Sequence, residues 1–128
     1  FKMVLAKAAS NASTFTLSAY SEITNEIAGS AGTNGYIQGG RDLVPATAQW
    51  TVGASAKQMK FTMSSIGLAF TASGASLVDI KYAILRNSTG TTAGRLLCWC
   101  QLSSANFTVA SPNTLTVLPA ATGIFTLT

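Results

Sequence analysis

Residues 77–85 read Leu77-Val78-Asp79-Ile80-Lys81-Tyr82-Ala83-Ile84-Leu85. Side chains alternate across a β-strand, so Val78, Ile80, Tyr82 and Ile84 fall on one face and Asp79 and Lys81 on the other. That is the pattern of a half-buried strand. Met59-Lys60-Phe61-Thr62-Met63 repeats it, with Met59, Phe61 and Met63 together. Outward from these two stretches lie further short apolar runs at residues 49–52, 67–72, 96–102, 107–109, 114–117 and 123–127. They are separated by Gly53-Ala54-Ser55, Ser73-Gly74-Ala75, the polar residues 87–94, Ser111-Pro112-Asn113 and Pro119-Ala120-Ala121-Thr122. Many short strands with frequent turns predict an all-β, antiparallel fold of the β-sandwich or jelly-roll kind, with residues 1–128 in a single domain. Leu96-Leu97-Cys98-Trp99-Cys100-Gln101-Leu102 is apolar on both faces, which predicts a central strand or one covered on both sides.

The first part of the chain is less regular. Residues 1–9 read as a first strand or as an N-terminal arm, with Lys2, Val4 and Ala6 on one face and Met3 and Leu5 on the other. Leu17, Tyr20, Ile23 and Ile27 sit at helical spacing, with Ser18 suited to cap a helix and Gly29 to end it, which admits either a short helix near residues 18–28 or an extended segment. Residues 29–35 read as a loop, in which Asn34-Gly35 favours a tight turn. Gly39-Gly40 marks a bend where backbone approaches backbone, and Pro45 ends the short run Leu43-Val44.

Composition narrows the function. The 128 residues are 48% hydrophobic and 9% charged, against about 25% charged in an ordinary domain. So thin a charged surface predicts that other copies or a partner cover much of it. The net charge of +4 comes from scattered lysines and arginines, without the clustering that a nucleic-acid footprint needs. No run approaches the about 20 apolar residues of a membrane-spanning helix. Phe1-Lys2-Met3-Val4-Leu5-Ala6 lacks a long apolar core, so the expectation is a chain without a secretory signal, whose cysteines stay reduced.

Catalytic chemistry finds little material. There is no histidine, and Glu22, Glu26, Asp42 and Asp79 are the only carboxylates, so groups that titrate near neutrality are nearly absent. No motif ties Lys57, Lys60 or Lys81 to a serine nucleophile. Glu22 and Glu26 read as solvated charges rather than as a glycosidase pair. Cys98 and Cys100 project to the same side of a strand and lack the further ligands of a metal site; the expectation is two small buried apolar residues. No enzyme activity, metal or cofactor is predicted. Trp50, beside the Pro45 turn and before Gly53, is the aromatic most suited to exposure. Trp99 reads as core or subunit interface.

A set of signatures remains: Tyr20-Ser21-Glu22-Ile23, Gly35-Tyr36-Ile37-Gln38-Gly39-Gly40 with Leu43, Trp50, Lys60-Phe61, Phe70-Thr71-Ala72-Ser73-Gly74-Ala75-Ser76, Lys81-Tyr82-Ala83-Ile84-Leu85, residues 96–102, Asn113-Thr114-Leu115-Thr116-Val117 and Gly123-Ile124-Phe125-Thr126-Leu127. This set resembles a family of small structural proteins of tailed bacteriophages encoded among the head genes. The resemblance covers roughly residues 14–128 and carries no catalytic motif. It implies a virion protein, a capsid decoration or cement protein assembled in the host cytoplasm, with the major capsid protein, copies of itself, or both as partners, and a homo-oligomer on the virion. A tail or head-fibre component and a host-glycan-binding module are the alternatives. Phe1, Lys2, Met3, Val4 and Leu5, as an arm adding to a neighbour's sheet, and Trp50 are the predicted interface residues.

Overall fold

The computed structural model describes residues 1–14, 16–29, 33–44 and 49–127. Phe15, residues 30–32 of the expected loop and the Pro45 turn lie outside these. The fold is all-β and antiparallel, with ten strands and two single 3₁₀ turns, Tyr20–Glu22 and Gly90–Thr92, among the described residues. The chain divides into two compact units, Phe1–Asp42 with Phe70–Thr114, and Leu43–Ala69 with Leu115–Thr128.

The sheet of the first unit is built on β6 (Leu77–Arg86). β1 (Lys2–Lys7) pairs along one side of it, and β2 (Arg41–Asp42) pairs beyond β1. The other side of β6 is shared by β7 (Leu96–Gln101), opposite Tyr82 to Arg86, and β8 (Phe107–Val109), opposite Leu77 to Ile80. β6 is therefore the central strand, and Tyr82, Ala83, Ile84 and Leu85 are buried in succession. The prediction for residues 96–102 is corrected: β7 ends the strand order, and Leu97, Trp99, Cys100 and Gln101 are exposed. β6 is ten residues long against six for β7, and its length lets it pair with β1 on one side and with both β7 and β8 on the other.

β1 is an interior strand. Met3, Val4, Leu5 and Ala6 are all buried, with Val4 and Ala6 packed against Tyr82, Ile84 and Ala12. Segment 1–9 is thus the unit's own first strand rather than a projecting arm, and of Phe1 to Leu5 only Phe1 and Lys2 keep exposed surface. The outer edge of β1 is closed. Leu5 N–H donates to the Tyr36 hydroxyl at 3.1 Å, Ile27 N–H donates to Leu5 O at 2.9 Å, and Lys7 N–H donates to Asn25 O at 2.9 Å. These bonds also explain why residues 18–28 are not a helix. Asn25 takes a left-handed φ of 53°, and the backbone around it pairs with β1 instead of with itself.

The expected grouping of Val78 with Ile80 is corrected as well. Asp79 has a φ of 64°, and the register of β6 shifts between Leu77 and Ile80. Leu77 and Ile80 are buried, while Val78 turns outward. The Gly39-Gly40 bend is confirmed: Gly40 has a φ of 87°, and a Cβ there would lie 2.4 Å from Met3 O. Gly40→Ala is expected to destabilise by about 2 kcal/mol, from the left-handed backbone and a clash that only backbone movement relieves. Urea unfolding of the variant checks this.

The second unit holds a three-stranded sheet in the order β10 (Phe125–Leu127), β4 (Met59–Phe61), β3 (Trp50–Val52). Its register aligns Trp50, Phe61 and Phe125 in one row, Thr51, Lys60 and Thr126 in the next, and Val52, Met59 and Leu127 in the third. β5 (Leu68–Thr71) and β9 (Thr114–Val117) form a two-stranded sheet.

Candidate functional site

A polar cluster that joins distant parts of the chain is centred on Glu26. An isolated bridge between Glu26 and Ala6 holds this residue against β1. Its Oε1 accepts from the Tyr36 hydroxyl at 2.7 Å and from Gly39 N–H at 2.7 Å, and its Oε2 accepts from the Tyr20 hydroxyl. The Arg86 guanidinium donates to Gly39 O through Nε at 3.0 Å and Nη2 at 2.7 Å, and lies 4.3 Å from the centroid of the Tyr20 ring. Burial, followed by the hydrogen bond and charge of Glu26, pushes Tyr20 up to about 12; Arg86 opposes that shift. Burial and then the Glu26 charge also push Tyr36 upward. Both tyrosines are therefore neutral donors across the ordinary pH range, and the carboxylate accepts from three groups of its own chain. The cluster ties Glu26, Tyr36 and Gly39 to the sheet, through the Ala6 bridge, the Leu5 N–H and the Arg86 guanidinium.

Glu22 and Asp79 also accept hydrogen bonds within the chain, and Asp42 lies near a lysine. Glu22 accepts from Ser18 N–H and Ala19 N–H at 2.8 Å each, and these bonds hold its carboxyl below the usual range. Asp42 faces Lys2 at 3.9 Å, and Asp79 accepts from the Asn106 amide. The sequence reading of Glu26 as a solvated charge is corrected, because three partners from distant positions converge on it. The reading of Cys98 and Cys100 as core residues is also corrected. Both are free thiols, Cys98 partly exposed and Cys100 exposed, and partial burial raises both, Cys98 to about 11.

What the surface offers is apolar area. In the second unit Trp50, Phe61 and Phe125 form an aromatic triad with ring centroids 5.1, 5.8 and 5.2 Å apart. Phe61 is fully buried, while Trp50 is 45% exposed, as its sequence context suggested. Residues two apart share a face, so Val52, Met59 and Leu127 continue the same apolar face. They are 75%, 42% and 54% exposed. In the first unit Trp99 packs edge-on to Tyr82 at 5.9 Å. Beside it a groove of about 300 Å³ is lined by Ala12, Leu17, Ile84, Leu97 and Trp99 among others. Among the described residues no group of three or more His, Cys, Asp or Glu side chains is placed to hold a metal ion, and no helix is long and apolar enough to cross a membrane.

Comparison with protein-family models, with curated proteins and with solved structures gives no match. The resemblance to phage head proteins therefore rests on the residues quoted for it.

Proposed function

We propose that this chain is a non-enzymatic virion structural protein, a capsid decoration protein that seats on the phage shell against the major capsid protein and copies of itself. The observation that carries this reading is the apolar face of the β10-β4-β3 sheet. It passes without a polar residue from the Trp50–Phe61–Phe125 triad to the exposed row Val52, Met59 and Leu127. An exposed apolar face of this kind marks a protein contact. A sugar site pairs its aromatic platform with hydrogen-bonding groups, whereas Trp50 is continued by aliphatic side chains, which favours a protein partner over a glycan. The engagement of Glu22, Glu26 and Asp79 in hydrogen bonds within the chain supports a structural role. The mechanism would be passive: each bound copy stabilises the assembled shell by mass action and added interface area.

A symmetry-resolved cryo-electron microscopy reconstruction of the particle tests this. Density repeating over the shell, with the Val52 row turned toward capsid subunits, is expected. Val52→Lys, a change at an exposed position, is expected to leave the fold intact by circular dichroism and to strip the protein from the shell. Density confined to the tail or to one vertex would overturn the decoration reading.

A further inference from the structure

The two edges of the first unit's sheet are treated differently. On the β1 side the edge is covered by β2, by Ile27 and Asn25 backbone and by the Tyr36 hydroxyl. The strand that ends it, β2, is two residues long and charged, Arg41-Asp42, a common device against edge pairing. On the other side β7 is six residues long and carries no charge, and no charged residue follows Arg95. Leu102 N–H donates to Lys81 O at 2.8 Å. By alternation, the backbone groups of Leu102, Cys100 and Cys98 face β6, and those of Trp99 and Gln101 face away from it. The Leu5 bonds to Tyr36 and Ile27 agree, since they leave Ala83 facing its partner Cys100. At the start of β7 the outer edge is occupied: Leu96 N–H donates to Ser18 O at 2.9 Å, and Arg95 bridges Ala19. From residue 97 to 101 no described residue pairs with it.

We propose that β7 pairs antiparallel with β7 of a second copy, about a two-fold axis at Trp99. The occupant is a copy of this chain because a two-fold axis sets identical residues near one another, and this strand brings no charge to its own image although the chain carries +4. The register follows from the free stretch. Centring on Trp99 uses residues 97–101 of both copies, while any other centring shortens the ladder or runs into Ser18 and Ala19. Trp99 then forms a hydrogen-bonded pair with its own copy, and Cys98 stands opposite Cys100 of the other copy as a non-hydrogen-bonded pair. The Cα separation of such a pair, about 4.5 Å, lies within the range a disulfide spans. This inference does not depend on the decoration reading.

The register makes a sharp test. Full-length protein is treated with diamide near pH 8.5, where a larger fraction of these raised thiols is ionised. Diamide accepts the two electrons and two protons released when two thiols become one disulfide. Wild-type protein is expected to give a covalent dimer whose peptides join Cys98 to Cys100. Cys98→Ser alone and Cys100→Ser alone are each expected to lose the dimer, because each leaves serine opposite the remaining cysteine. An equimolar mixture of the two is expected to recover it, up to the statistical share of mixed dimers. Sedimentation velocity in reductant reads the association without the bond, and a dimer is expected. A monomer up to millimolar concentration, or single variants that cross-link to themselves as well as the wild type does, would overturn the proposal.

Discussion

Phe61→Ala is expected to cost about 4 kcal/mol, the middle of the range for deleting a buried aromatic side chain. Phe61 is fully buried and is the middle member of the three-strand register, opposite both Trp50 and Phe125. It stacks on Phe125, with ring planes 20° apart, and meets Trp50 edge-on at 61°. Removing the ring therefore deletes two aromatic contacts and opens a cavity between strands only three residues long. The neighbours cannot close it easily: Ile124 N–H is fixed to Phe61 O at 2.7 Å, and a Cβ at Gly123 would stand 2.8 Å from the same oxygen. Phe61→Leu keeps most of the volume and is expected to cost about 1.5 kcal/mol. Urea unfolding followed by the near-ultraviolet signal of Trp50 measures both. A loss below 1 kcal/mol for Phe61→Ala would show that this sheet is not held by its triad.

How much of this was legible in the sequence depends on whether the signal is local. The alternation of Met59 and Phe61, of Trp50 and Val52, and of Phe125 and Leu127 states which residues share a face, and the structure sets all six on one. Gly39-Gly40 likewise announced a close backbone approach. The break in β6 at Asp79 could not be read this way. An aspartate in a left-handed conformation depends on the Asn106 amide at its carboxylate and on Ala8 N–H donating to its carbonyl at 3.0 Å, both remote in the chain. The order of β6 and β7 was illegible for a different reason. Hydrophobicity reports that a face will be covered, not what covers it, and the apolar excess of residues 97–101 lies on the last strand of the sheet order, where no described residue pairs with its outer edge. Glu26 was missed because its partners, Tyr20, Tyr36 and Gly39, follow no periodic spacing. Leu17, Tyr20, Ile23 and Ile27 match a helix in spacing, but β1 needed partners for its edge and took the backbone of residues 25 and 27.

Glu26 is where the second large effect is expected. Glu26→Ala removes the acceptor of two tyrosine hydroxyls and of Gly39 N–H at once, and Tyr36 is 2% exposed. Leaving buried donors without an acceptor costs more than the bonds themselves contributed, so a loss of about 3 kcal/mol is expected. Glu26→Gln keeps the side-chain shape and one acceptor oxygen, and is expected to lose about 1 kcal/mol. The tyrosines add a pH signature. Tyr20 rises from an ordinary value of 10.0 to about 12 in the folded state, and Tyr36 rises in the same direction. A raised folded value means that the unfolded chain releases these protons first as pH climbs. Their contribution is thus fully present below pH 10 and is lost as pH rises from there through about 12. Urea midpoints taken between pH 8 and pH 12 are expected to fall steeply only in the upper half of that span. In Tyr20→Phe and Tyr36→Phe the alkaline slope is expected to shrink, most of all when both are combined. An unchanged slope in the double variant would show that the alkaline loss arises outside the Glu26 cluster.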